Sequence, residues 1–285
     1  MAKEIAGLRV AESRLPEVER VFSDPYAERF FSKEELDAVQ TPEQARARID
    51  AYSQIMPGVN GAIVSRIKFI DDYLASCIRE SLEQVVMIGA GYDTRAYRLE
   101  GLKNGVAVFE VDHPATQTVK IETIEEIFGE RPGRVHFVPV VFGQDKLDEA
   151  LFASGYRKEG KTLFIIEGLL MYIPPPAVDG LLSFIATASR PGSSLVADYF
   201  HTDVIDGSSD LPEAMALKQF VENAGSGLMF GLAPGTEADF FERRGFHQVK
   251  TVSAVSCKDR YFRGESAKRA VSPMFNFLTA VVAPK

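Results

Sequence analysis

The feature that most constrains the fold is a set of five short apolar runs through the middle of the chain. They are QVVMIG (84–89), VAVFEV (106–111), VHFVPV (135–140), TLFIIE (162–167) and SSLVAD (193–198). Runs that are apolar throughout, rather than on alternate residues, suit strands covered on both faces, and so a mostly parallel sheet. Helical patterns at 115–128, 145–154 and 175–190 separate several of them. Two later segments, FHQVKTVSA (246–254) and FNFLTAVVA (275–283), alternate more. They read as an antiparallel edge pair closing the sheet.

The first eighty residues read as helical. Asp24 followed by Pro25 is a helix-start signal, and Thr41 with Gln44 three residues on is a capping box with Pro42 at the first helical position. In NGAIVSRIKFIDDYLASCIRES, residues Ile63, Ile67, Ile70, Leu74, Cys77 and Ile78 form one apolar stripe opposite Lys68, Asp72 and Arg79. Arg66 lies at the margin of that stripe, where a guanidinium either aims inward or snorkels to the surface. We read 1–80 as a helical cap and 81–285 as the core. Residues 199–245, a connection too long for a plain loop, read as a lid or binding insertion.

The net charge is −8, which disfavours nucleic-acid and anionic-membrane partners. Cys77 and Cys257 offer no disulfide framework. No His/Cys/Asp spacing suggests a metal site. The N-terminus lacks the apolar core of a signal peptide, and no stretch reaches the ~18 apolar residues of a spanning helix. The expected location is cytoplasmic, and the oligomeric state is open.

The first run falls into GAGYDT. Gly89 and Gly91 permit a tight turn and close approach of backbone N–H groups to a ligand, while Thr94 replaces the third glycine of a dinucleotide fingerprint. Asp112 lies 21 residues after Gly91 at the end of the second run, with Glu110 as the other candidate, and an acid there can accept hydrogen bonds from ribose hydroxyls. This pair points to a nucleoside-containing ligand and does not by itself separate S-adenosylmethionine (SAM) from NAD. Asp93 tilts the choice, because it would repel a pyrophosphate and suits a sulfonium or ammonium. No second glycine signature serves a nicotinamide half. GYDTR has no serine nucleophile, and no Walker lysine follows the glycines, so hydrolase and NTPase readings fail.

VVMIGAGYDTRAYRL, FEVDHP and FIIEGLLMYI, with the N-terminal ESRLPEVERVFSDPYAERF and RIKFIDDYL, together resemble the leucine carboxyl methyltransferase family, in particular its bacterial and archaeal SAM-dependent O-methyltransferases. The resemblance implies a Class I SAM-dependent methyltransferase fold. This is α/β and Rossmann-like: a seven-stranded sheet with an antiparallel last strand and an N-terminal helical cap. It implies that Arg66 pairs with the methionine carboxylate of SAM, that Gly89, Ala90 and Gly91 lie beneath the methionine moiety, and that Asp112 holds the ribose. Asp93, His113, Phe142, Glu167 and Gly168 complete the expected cofactor contacts, and Arg95 ties the turn to the cap. One position departs from the family pattern. Val141 stands where an aspartate would contact the adenine amino group, leaving Gln144, Asp145 or backbone and apolar contacts to hold the ring.

The expected reaction is transfer of the SAM methyl group to a carboxylate or hydroxyl of a small, apolar or aromatic acceptor, with S-adenosylhomocysteine (SAH) as product. A carboxylate needs no base, whereas a phenol would benefit from one. His201, just past the fifth run, is the histidine best placed to face an acceptor, and Tyr199 and Tyr172 are the tyrosines expected beside it. The alternatives are an NAD(P)-dependent oxidoreductase and a non-catalytic SAM-binding protein.

Overall fold

Successive side chains of each central strand enter two different cores. Val85 and Met87 of the first strand pack on one side of the sheet, and Val86 and Ile88 on the other. Each of these side chains is essentially solvent-free, and burying an aliphatic side chain contributes roughly 1.5–3 kcal/mol. Both faces must therefore be covered, which explains why the runs carry no polar alternation.

A computed structural model describes residues 2–223 and 225–284. Helices α1 (Ala2–Arg14), α2 (Lys33–Leu36), α3 (Pro42–Ile55) and α4 (Val59–Arg79) come first. There follow β1 (Gln84–Ile88), α5 (Arg95–Arg98), β2 (Ala107–Asp112), α6 (Pro114–Phe128), β3 (Val135–Pro139), α7 (Leu147–Ala153), β4 (Thr162–Ile166), α8 (Pro175–Thr187) and β5 (Ser194–Tyr199). The chain then forms α9 (Thr202–Asp206), α10 (Pro212–Asn223), α11 (Glu237–Glu242), β6 (Phe246–Ser253), α12 (Ala254–Tyr261) and β7 (Asn276–Val282).

The seven strands lie in the order β3-β2-β1-β4-β5-β7-β6. The first five are parallel. The last strand runs antiparallel to both of its neighbours and sits between β5 and β6, so of this closing pair β6 is the edge strand, opposite β3 at the other edge. The closing pair is thus antiparallel as expected, but its later member is interior. Burial agrees: β7 is almost wholly buried, whereas β6 alternates. The order reverses between β1 and β4, which opens a crevice beyond the carboxyl ends of the parallel strands.

The helix signals also act locally. Thr41 and Gln44 form a reciprocal capping box at the start of α3. Asp24 Oδ1 accepts from the N–H groups of Tyr26 and Ala27, both at 3.1 Å, starting a single 3₁₀ turn at Ala27–Phe30. Among the described residues, no helix is long and apolar enough to cross a membrane.

Candidate active site

A cavity of about 410 Å³ opens at the crevice. One end is polar. Gly89, Ala90, Gly91 and Asp93 border it from the turn after β1, Asp112 and His113 from the end of β2, Phe142 from the loop after β3, and Glu167 and Gly168 from the end of β4. Arg66 reaches it from α4. The other end is apolar, walled by Ile5 and Leu8 of α1, Met56 after α3, Ile63 of α4, and Leu217 and Phe220 of α10. Tyr52 and Tyr172 also face this cavity.

The polar end is built by the turn itself. Gly91 has φ +48°, a conformation that favours glycine, and its N–H donates to Asp112 Oδ2 at 2.5 Å. The N–H of His113 donates to Asp112 Oδ1 at 2.6 Å, and His113 Nδ1 accepts from Ala115 N–H at 3.2 Å, capping α6. Glu110, the other acid of β2, is fully buried away from the cavity, 2.7 Å from Lys120 Nζ. Strand alternation explains the difference, because residues two apart share a face while only the last projects past the sheet edge. Asp112 is therefore the acid presented to a ligand.

Beneath the turn lies a buried ion network. Arg66 Nε donates to Glu167 Oε1 at 3.0 Å, and Arg66 Nη1 to Asp198 Oδ2 at 2.8 Å. Arg95 bonds Asp71 through Nε at 2.6 Å, Glu167 through Nη1 at 2.6 Å, and Asp93 through Nη1. Arg98 adds a two-point contact with Asp71 at 2.8 and 2.9 Å. Asp198 also accepts from the N–H of Gly168 at 2.6 Å. Burial alone would raise the Glu167 carboxyl, but the charges of Arg95 and Arg66 outweigh it and hold the group below the usual carboxylate range. Asp71 behaves likewise: Arg98 and Arg95 outweigh its burial. Asp198 is different, for its burial outweighs Arg66 and raises it. Arg66 therefore aims inward, with two of its nitrogens already engaged by carboxylates of the chain.

The sequence profile of leucine carboxyl methyltransferases matches residues 2–186, which carry α1 through most of α8 and all the polar cavity residues named above. The chain belongs to the leucine carboxyl methyltransferase family. A Mycolicibacterium vanbaalenii protein provisionally assigned as an S-adenosyl-L-methionine-dependent methyltransferase is 34% identical over 227 residues, 75% of this chain and 70% of that one. A Mycobacteroides abscessus protein with the same provisional assignment is 32% identical over 220 residues, 74% and 67% of the two chains. In fold, the chain is similar to a provisionally assigned methyltransferase of Thermobifida fusca (TM-score 0.57, 16% identity, 98% of both chains). It is also similar to a DUF574 family protein of Streptomyces avermitilis (TM-score 0.61, 13% identity, 96% of this chain and 100% of that one).

All ten residues expected to contact the cofactor border this one cavity, and so does Tyr172. Tyr199 and His201 do not. The Tyr199 hydroxyl donates to Glu237 Oε1 at 3.0 Å, and His201 Nε2 lies 3.5 Å from the same oxygen. Tyr199 belongs to the core on the sheet face covered by α8 and α11, whereas the apolar cavity wall belongs to the other core. Neither residue reaches an acceptor there, and their expected catalytic placement is corrected accordingly.

Val141 also resolves. Its N–H donates to Asp145 Oδ2 at 2.8 Å, and its carbonyl accepts from Gln144 and Asp145, closing a local turn that leaves Phe142 at the cavity. Neither Gln144 nor Asp145 borders the cavity. The 199–245 segment divides as well: α10 fronts the cavity, while Phe241 of α11 packs edge-on against Phe246 of β6 on the opposite side. Sequence reading missed Tyr52, Phe220, Asp71 and Asp198. Asp198 carried a signal, as an acid ending a parallel strand; Tyr52 and Phe220 carried none.

Proposed function

We propose that this protein is a SAM-dependent O-methyltransferase that esterifies the carboxylate of a small, apolar or aromatic acid. The residues of the polar end fit the cofactor. Four guanidiniums (Arg9, Arg66, Arg95, Arg98) stand among six carboxylates (Asp24, Asp71, Asp93, Asp112, Glu167, Asp198). An excess of negative charge suits a sulfonium and an ammonium and opposes a pyrophosphate. Asp112 would hold the ribose, Phe142 would face the adenine, and the turn at Gly89–Gly91 would admit the methionine portion. The cofactor supplies an electrophilic methyl group on a positively charged sulfur.

The acceptor follows from what the apolar end lacks. The observation that carries the reading is that the described lining residues there include no histidine and no readily ionised tyrosine, with Glu4 of α1 as the carboxylate at that end. Burial, reinforced by the Glu4 carboxylate, pushes the Tyr52 phenol up to about 12. Burial likewise pushes Tyr172 up to about 12. Glu167 is held low and is already bonded to two arginines. The single histidine of the lining, His113, caps a helix at the other end. A carboxylate is ionised at neutral pH and needs no proton removed, whereas an alcohol or phenol does. The walls then contribute orientation and water exclusion, which can supply much of the catalysis of a displacement.

The test is incubation of the protein with methyl-tritiated SAM and a panel of aromatic and aliphatic carboxylic acids and their alcohols. Base-labile label that volatilises as methanol marks methyl esters and supports the reading. Only base-stable product would mark ethers and oppose it.

A further inference from the structure

The apolar end of the cavity contains a phenol with nothing to bond to. Tyr52 sits in the last turn of α3, which holds its helical geometry through the bond from Met56 N–H to the Tyr52 carbonyl at 2.9 Å. Its ring packs against the core while the cavity reaches its side chain, together with Met56, Ile63, Leu217 and Phe220. Among the described residues the Tyr52 hydroxyl makes no hydrogen bond, and the groups that act on it are charges alone, Glu4 and Arg66. Tyr52 is half-buried, and its hydroxyl faces the cavity, whereas the hydroxyls of Tyr199 and Tyr156 are bonded within the chain, to Glu237 and to Ser189 and the carbonyl of Ala188. A polar hydrogen held in apolar surroundings costs free energy unless a partner arrives.

The partner must be an acceptor of hydrogen bonds. The phenol keeps its proton across the physiological range, so it donates. A bond from a neutral donor to an ionised oxygen is about twice as strong as a neutral one, and low local polarity strengthens it further. Arg66 is near enough to act on Tyr52, yet its Nε and Nη1 are committed to Glu167 and Asp198. Tyr52 is thus a neutral donor at the cavity whose hydroxyl no group among the described residues engages.

Resting on the carboxylate reading above, we infer that the Tyr52 hydroxyl orients the acceptor by donating a hydrogen bond to its carboxylate, while Met56, Ile63, Leu217 and Phe220 enclose its apolar or aromatic body. Tyr52 thereby selects acids over the corresponding alcohols.

The test compares wild type with Tyr52→Phe, both loaded with SAH, in calorimetric titrations with trans-cinnamate, phenylacetate and decanoate and with the alcohol matched to each. Phenylalanine keeps the ring and removes only the donor. The expected result is that at least one acid binds the wild type and binds Tyr52→Phe about tenfold or more weakly. The alcohols should change by less than about threefold, and SAH affinity should not change. Equal affinity of an acid for both proteins overturns the role of Tyr52 and leaves the carboxylate reading standing. Binding of alcohols without acids, or of none of the six compounds, overturns both.

Discussion

The N–H of Gly91 donates to the carboxylate of Asp112 at 2.5 Å, so the acid ending β2 is bonded to the turn that ends β1. One Asp112 oxygen holds the glycine turn and the other the N–H of His113. The same carboxylate lines the cavity and has lone pairs left for a ligand hydroxyl.

Asp112→Ala is expected to weaken SAH binding by at least about tenfold, since it removes both a charged acceptor and the tie that shapes the turn. Asp112→Asn keeps one acceptor oxygen and should fall between. Titration calorimetry of the three proteins orders them; equal affinities would remove Asp112 from the site.

Arg95 offers a stability test. It joins Asp71, Asp93 and Glu167 while nearly solvent-free. Arg95→Ala leaves these carboxylates without their shared cation and should cost ~3–5 kcal/mol, because breaking a buried pair from one side strands the other charge. Arg95→Met should be milder, since it restores packing volume but no charge. Denaturant unfolding measures both, and a loss under about 1 kcal/mol for Arg95→Ala would show that the network carries little.

Acid should dissolve the same network. Glu167 and Asp71 titrate below their ordinary values in the folded protein. A carboxyl depressed by folding contributes stability that is complete above its unfolded value and is lost as pH falls through the folded one. The contribution should thus be full above about pH 5 and decline below about pH 4. Unfolding free energies of wild type and Arg95→Ala should converge as pH drops through that window. A constant gap between them would contradict the assignment.

Tyr199 and His201 supply a negative test. Both pair with Glu237 behind the sheet. His201→Ala should leave methyl transfer within about twofold. Tyr199→Phe should cost about 1–2 kcal/mol of stability through the lost bond to buried Glu237, and leave kcat similar. A hundredfold fall in kcat for folded His201→Ala would return that histidine to the mechanism.

The catalytic pH profile separates the acceptor classes. With Tyr52 and Tyr172 pushed up to about 12 and no histidine among the described residues of the apolar end, kcat on an acid should be flat between about pH 6 and pH 9. A tenfold rise per pH unit in that range would indicate a hydroxyl acceptor losing its proton.

The parts legible in the sequence were those governed by local rules. Continuous apolar runs announced buried parallel strands, and a glycine turn with an acid 21 residues on announced Gly91 and Asp112. Arg66 was half legible: its place on the stripe margin allowed an inward aim, but its partners lie 101 and 132 residues away. Separations of that kind leave no local pattern. His201 misled for a related reason. It follows β5 at the correct sheet edge, but the chain there bridges to Leu232 and turns the side chain toward Glu237. Tyr52 was invisible because a tyrosine at the end of an amphipathic helix has the same signature whether it faces core, solvent or ligand.

The central claim is that the turn of Gly89 and Gly91, the acid Asp112 and the surrounding excess of carboxylates hold SAM. Calorimetric titration of the purified protein with SAM, SAH and NAD tests it most directly. SAM and SAH should bind with Kd on the order of micromolar, and NAD should give no heat of binding. Binding of NAD without SAM or SAH would contradict it.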